Sequence, residues 1–157
     1  MKLLKIPLMS KKEYDEFIKD QYVSRIAFKG EYPYIAPFLY VFDGKFIYFL
    51  STKYGKKLQL FQNNPQVAVE IDEYKENMSY YRFVTLQGQL NEVVHQEEKQ
   101  KVRKMFVNMI KKKNLSNKIM AALGHSPEDP LDSLITEERS FVWKLTHVHE
   151  IVALKNS

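Results

Sequence analysis

Residues 32–65 read YPYIAPFLYVFDGKFIYFLSTKYGKKLQLFQNNP. Two apolar, aromatic-rich runs, Tyr34–Phe42 and Lys45–Leu50, flank Asp43-Gly44, a dipeptide suited to a β-hairpin turn. The second run ends on Ser51 and Thr52. Tyr54-Gly55-Lys56-Lys57 then opens a helical pattern over Lys56–Gln62, which stops before Asn63-Asn64-Pro65. A helix N-terminus leaves backbone N–H groups free and carries partial positive charge, so an anion sits well there. Hydroxyls at Ser51 and Thr52, with lysines at 56 and 57, are what a phosphate-bearing ligand needs. The same hydroxyls could serve as the helix N-cap, and the two roles are compatible.

Upstream, Ser10-Lys11-Lys12-Glu13 has the spacing of a capping box, with Met9 and Tyr14 placed as a hydrophobic staple. Tyr14, Phe17 and Ile18 form an apolar stripe, and a short helix is expected over 11–19. The period then becomes two along Val23–Phe28, before a turn at Lys29-Gly30-Glu31. Downstream, Val67, Val69 and Ile71 mark a half-buried strand, and 72–79 reads as a polar loop. Arg82–Val93 is a longer strand whose Gly88 implies a bulge, a barrel bend or close approach of something flat.

Gln96–Lys113 reads as a helix buried along Val102, Met105, Phe106, Met109 and Ile110. A second short helix, Ser116–Leu123, ends at Gly124, and residues 125–133 read as a loop. Phe141–Leu145 and His149–Leu154 are closing strand segments, offset near Thr146-His147. Many antiparallel strands with few helices indicate a mainly β fold, a closed or split barrel.

At 157 residues, 45% hydrophobic and 27% charged, one domain over 1–157 is the economical reading. The absence of cysteine excludes disulfides, thiolate metal sites and cysteine nucleophiles. His147 and His149 share a strand face, but no acidic cluster accompanies them and no metal site is expected. The opening MKLLKIPLMS lacks the apolar core of a signal peptide, and no window reaches membrane-spanning length, so a soluble cytoplasmic protein is expected. The net charge of +5 comes almost wholly from lysine. Arginine occurs only at 25, 82, 103 and 139, which argues against base-specific nucleic-acid readout.

These elements, in this order, resemble the FMN-binding split barrels of the pyridoxamine 5′-phosphate oxidase-like family. VSRIAFKGEYPYIAPFLYVFDGKFIYFLS is similar to that family's first three barrel strands, and YGKKLQLFQNNPQVAVEID to its next helix and strand. YYRFVTLQGQLNEV looks like the strand that precedes its helix, and FVWKLTHVHEIVALK like its last strand. The resemblance implies a six-stranded antiparallel split barrel of Greek-key type, flanked by short helices. It also implies a homodimer with flavin at the subunit interface.

By the same resemblance Ser51, Thr52, Lys56 and Lys57 hold the phosphate, and the backbone of Ile35, Ala36, Pro37 and Phe38 runs along the isoalloxazine ring. Gln87 and Trp143 approach the cofactor or the interface. The vitamin B6 oxidases carry an arginine at the position of Ala36 and a Ser-Arg-Lys run where this chain has Tyr54–Lys57. Their arginine-rich last strand is also missing. These departures point away from vitamin B6 chemistry, toward the group that includes nitroimidazole-resistance proteins and small flavin reductases.

The resemblance thus implies a flavoprotein oxidoreductase with FMN, or less readily FAD, acting on a small-molecule substrate. No carboxylate pair demands acid–base catalysis, since Glu97, Glu98, Glu137 and Glu138 read as helix starts and turns. Other readings stay open. One is a flavin, deazaflavin or haem protein without turnover, with His147 or His149 as an axial ligand. Another is a nucleic-acid-binding barrel that stacks bases on strand tyrosines. For single residues, core packing competes with cofactor contact at Trp143. An outward or interface charge competes with phosphate contact at Arg25, and His125 reads as a solvated loop histidine.

Overall fold

The computed structural model describes residues 1–156. The elements follow in order: α1 (Lys11–Asp20), β1 (Val23–Phe28), β2 (Tyr34–Phe42), β3 (Ile47–Thr52), α2 (Lys56–Asn63), β4 (Gln66–Tyr74) and β5 (Tyr81–Glu92). They continue with α3 (Gln96–Lys112), a 3-10 helix (Asn117–Leu123), α4 (Ser133–Thr136) and β6 (Ser140–Lys155). The expected capping box forms: Ser10 Oγ accepts from the Glu13 amide while Glu13 accepts from the Ser10 amide.

All six strands pair antiparallel and close into one barrel in the order β1-β2-β3-β6-β5-β4. Within that ring β4-β1-β2-β3 is a Greek key. The fold inferred from the sequence is therefore the fold observed.

Four local expectations change. The β2–β3 hairpin turns over four residues rather than two, because the Asp43 carboxylate accepts from the amides of Lys45 (2.9 Å) and Phe46 (2.7 Å) and stabilises a wider turn. β4 runs on to Tyr74 instead of ending at Ile71. Its polar residues Asp72 and Glu73 are held by Arg25 (2.8 Å) and Arg82 (3.0 Å) on the flanking strands. The segment after Ser116 is a 3-10 rather than an α-helix. The loop after it ends in the short helix α4.

Two apolar clusters flank the barrel wall. Inside, Phe28, Phe38, Phe49, Val69, Ile71, Val84, Leu90 and Trp143 interdigitate, and Phe17 and Ile18 of α1 join them. Outside, Val41, Tyr48, Leu50 and Val142 meet Val102, Phe106 and Ile110 of α3 with Met120, Leu123 and Leu134. Full burial of such side chains contributes about 1.5–3 kcal/mol each, far more than helix propensity, so packing holds α3 in place.

Arg103, 1% exposed, ties α3 to the segment that leads into β6. Its guanidinium donates to the carbonyls of Leu134 (3.3 Å), Glu137 (3.3 Å) and Ser140 (2.9 Å). The helical insert thus covers one half of the barrel's exterior and leaves the half formed by β1, β4 and β5 open.

Candidate functional site

The barrel is split at one seam. β2 pairs with β3 only through Tyr40, Val41 and Phe42, whereas β3 continues along β6 through Leu50, Ser51 and Thr52. The β2 edge over Ile35–Phe38 therefore pairs with β1 alone. Pro37, which has no N–H to donate, is tolerated on such an edge. Ile35 and Pro37 point outward and Ala36 and Phe38 into the core. The backbone of this stretch has no strand partner on the side away from β1.

α2 starts at this seam. Its N-cap is Gly55 at φ 103°, a left-handed conformation that favours glycine, and no side chain caps the helix. The first-turn amides are thus left for solvent or a ligand. The capping role considered for Ser51 and Thr52 is not seen. Both are buried, and their hydroxyls donate to the carbonyls of Thr52 (2.9 Å) and Tyr54 (3.2 Å), which shapes the turn into α2.

Three lysines, Lys53, Lys56 and Lys57, lie at or just before the helix start. Lys56 Nζ lies 5.0 Å from the Tyr34 ring centre, Lys57 Nζ 5.6 Å from Phe38 and Lys53 Nζ 5.3 Å from Phe141. None of the three has a carboxylate partner among the described residues. Lys57 is half-buried, and that burial pulls its ammonium below the usual lysine range. A partly desolvated cation in the first turn of an uncapped helix fits a phosphate group. Lys53 was absent from the sequence expectation, although it adjoins Thr52.

Around the barrel from this seam lies a cavity of about 710 Å³ lined by Phe28, Gln66, Gln87, Gln89, His147 and His149, among others. The two are linked by the Lys29–Pro33 loop, which lines the cavity and packs through Gly30 against Leu60 of α2. Gln87, which the family resemblance sets near the cofactor or the interface, is exposed and lines this cavity. Gln66 and Gln89 carry no sequence signal that separates them from surface glutamines. The bulge expected at Gly88 is present, and a Cβ there would lie 2.8 Å from the Thr146 carbonyl oxygen. β6 bulges opposite it, with His147 at φ 49°, as the offset near Thr146-His147 anticipated. His147 and His149 share the cavity, and no group of three metal-ligating side chains occurs among the described residues.

Trp143 is fully buried inside the barrel. Its ring centre lies 4.7 Å from Phe61 of α2 and 5.8 Å from Phe38. In the single chain it supports the seam from behind and does not reach the surface. His125 corrects the solvated-loop expectation. It is buried, with Nδ1 3.2 Å from Ser133 Oγ and 3.6 Å from the Asp129 carboxylate. α4, which the loop reading missed, brings Ser133 to it. Burial, with help from Arg139, holds the imidazole below its ordinary pKa. Arg25 is outward-facing and engaged by Asp72 (2.8 Å) and Glu70 (3.4 Å). No helix among the described residues is long and apolar enough to cross a membrane.

The model of the family described as pyridoxamine 5′-phosphate oxidase matches residues 10–129. No curated protein matches the chain. Solved structures share the fold at low identity. A FAD-binding protein of Mesorhizobium loti superposes with TM-score 0.63 at 17% identity, over 98% of this chain and 100% of its own. A FAD and haem binding protein of Mycobacterium smegmatis gives 0.66 at 12%, over 94% and 72%. The haem storage protein HutZ of Vibrio cholerae gives 0.63 at 13%, over 92% and 94%. With the split barrel and a family match from the α1 N-cap to beyond the 3-10 helix, the chain belongs to the pyridoxamine 5′-phosphate oxidase family.

Proposed function

We propose that the protein is a flavoprotein that binds FMN between two copies of the chain and acts as an oxidoreductase on a small molecule in the cytoplasm. The observation that carries this reading is Lys57, a half-buried ammonium with no carboxylate partner beside the uncapped start of α2. In this reading Lys53, Lys56 and Lys57 neutralise the phosphate with the first-turn amides of α2. The free β2 edge over Ile35–Phe38 orients the ring by backbone hydrogen bonds. Ser51 and Thr52 shape the loop that delivers the lysines, and Trp143 stiffens Phe38 from within.

Gln87 offers an amide to the ring or to the second copy. The outward row Ile35, Ala27, Ala68 and Gln87 runs in register across β2, β1, β4 and β5 into the cavity. A second copy on this uncovered face would enclose the cavity and exclude water. The bound flavin supplies hydride or single-electron transfer. The arginine-rich last strand of the vitamin B6 oxidases has no counterpart in β6, so a substrate other than a B6 phosphate is favoured.

A haem reading has one specific observation behind it: His147 and His149 line the same cavity. Titration of the cofactor-free protein with FMN, riboflavin and haemin separates the readings. Quenching of FMN fluorescence that saturates at one flavin per subunit, with weaker riboflavin binding, supports the flavin site. A Soret band lost on histidine substitution, with no flavin uptake, replaces it by the haem site.

A further inference from the structure

The uncovered exterior of β1, β4 and β5 is mostly apolar or neutral: Val23 and Ala27 from β1, Ala68 from β4, Thr85 and Gln87 from β5, edged by Ile35 and Pro37 of β2 and Val152 of β6. One charged cluster, of Arg25, Glu70 and Asp72, interrupts it. Glu70 lies in register between Arg25 on β1 and Thr85 on β5, and Asp72 follows two residues along the same strand. Arg25 Nη1 is 2.8 Å from Asp72 and 3.4 Å from Glu70. One cation thus serves two carboxylates, and the cluster carries a net charge of −1 when both are ionised. A two-fold interface is built from the same patch on each copy, so both clusters are covered together. Covering the face removes the water that screens their net charge, which disfavours the ionised carboxylate.

We propose that two copies associate through this face with Glu70 protonated, so that dimerisation takes up protons and weakens as pH rises. The inference rests on the face being the dimer interface, as read under the proposed function. Within one copy Glu70 is already prepared for it. Burial first, and then the neighbouring Asp72 carboxylate, raise its pKa to about 7 against the opposing effect of Arg25. Protonation leaves a neutral Arg25–Asp72 pair beside a carboxylic acid that donates a hydrogen bond, which the desolvated interface tolerates better. Arg25 and Asp72 are the charged groups that contact Glu70. β5 presents only neutral side chains to it, and on β6 the nearest charged or titratable residues are Glu150 and His149, in the rows toward the cavity.

The sign follows from linkage. A carboxyl whose pKa is higher in the dimer than in the free subunit favours the dimer at low pH and loses that contribution as pH rises through the dimer value. With one proton per subunit, the dissociation constant rises by up to about 100-fold per pH unit between the two values. Sedimentation equilibrium of the full chain with saturating FMN, from mildly acidic to mildly alkaline pH, measures it. The expected result is a dimer at acid pH that loosens above neutrality. Glu70→Gln should stay tight throughout, and Asp72→Asn should move the transition to another pH.

A dimer whose affinity ignores pH, or tightens with it, overturns the proton linkage and leaves the interface standing. The linkage through Glu70 is equally overturned if the pH dependence survives in Glu70→Gln. A monomer at every pH and concentration overturns the interface and the linkage together. Circular dichroism of each variant confirms the fold before its association is read.

Discussion

Removal of Lys57 tests the anion site most sharply. Its ammonium is half-buried and lacks a carboxylate, so in the free protein it contributes desolvation cost without an ion pair. In the complex it would make a charge-assisted bond to phosphate, worth about 1.5–3 kcal/mol. Lys56 is exposed over Tyr34, and screening reduces its contribution to about 0.5–1 kcal/mol. Lys57→Ala should therefore weaken FMN binding roughly 10–150-fold, and the double change Lys56→Ala, Lys57→Ala roughly 30–1000-fold, at about 1.4 kcal/mol per decade. Riboflavin, which lacks the phosphate, should bind the variants and the parent equally. The melting temperature of the cofactor-free protein should hold or rise, because an unpaired, partly desolvated charge is gone. Fluorescence titration with both flavins and a thermal melt supply the three numbers. Equal losses for FMN and riboflavin would refute the phosphate assignment, as would unchanged FMN affinity.

Two further outcomes follow from local geometry. Gly88→Ala places a Cβ 2.8 Å from the Thr146 carbonyl oxygen. Such overpacking costs about 1–3 kcal/mol and lowers the melting temperature by about 2–4 °C per kcal/mol at this chain length; an unchanged melt would mean that the bulge yields freely. His125, whose pKa is depressed in the fold, binds its proton more readily unfolded. Stability should thus fall as pH drops below the ordinary histidine value of 6.5 toward the depressed one, and be insensitive to this group above it. Denaturant midpoints against pH should flatten in that acid range for His125→Gln, and an identical profile would place the sensitivity elsewhere.

The hairpin, the helix stop at Asn63-Asn64-Pro65 and the capping box at Ser10 were legible because each rests on neighbours in the chain. So was the seam: the aromatic run through Phe38 and the lysines at 56 and 57 do meet at the start of α2. Less legible were features made by distant partners. Asp72 and Glu73 look like loop residues until Arg25 and Arg82 arrive from other strands to hold them in β4. His125 looks solvated because the helix that covers it, Ser133–Thr136, is too short for a periodic pattern. Gly55 gives no N-cap signal because its role depends on a positive φ, not on a side chain. The cavity draws glutamines and histidines from three strands and a bulge, and only closure of the barrel brings them together.

The absorption spectrum of the protein as purified tests the central claim most directly. A flavin spectrum, with FMN released in equal amount to subunits on denaturation, is the predicted result. A colourless protein that also takes up no added FMN would contradict the account, and a Soret band alone would transfer the cavity to haem.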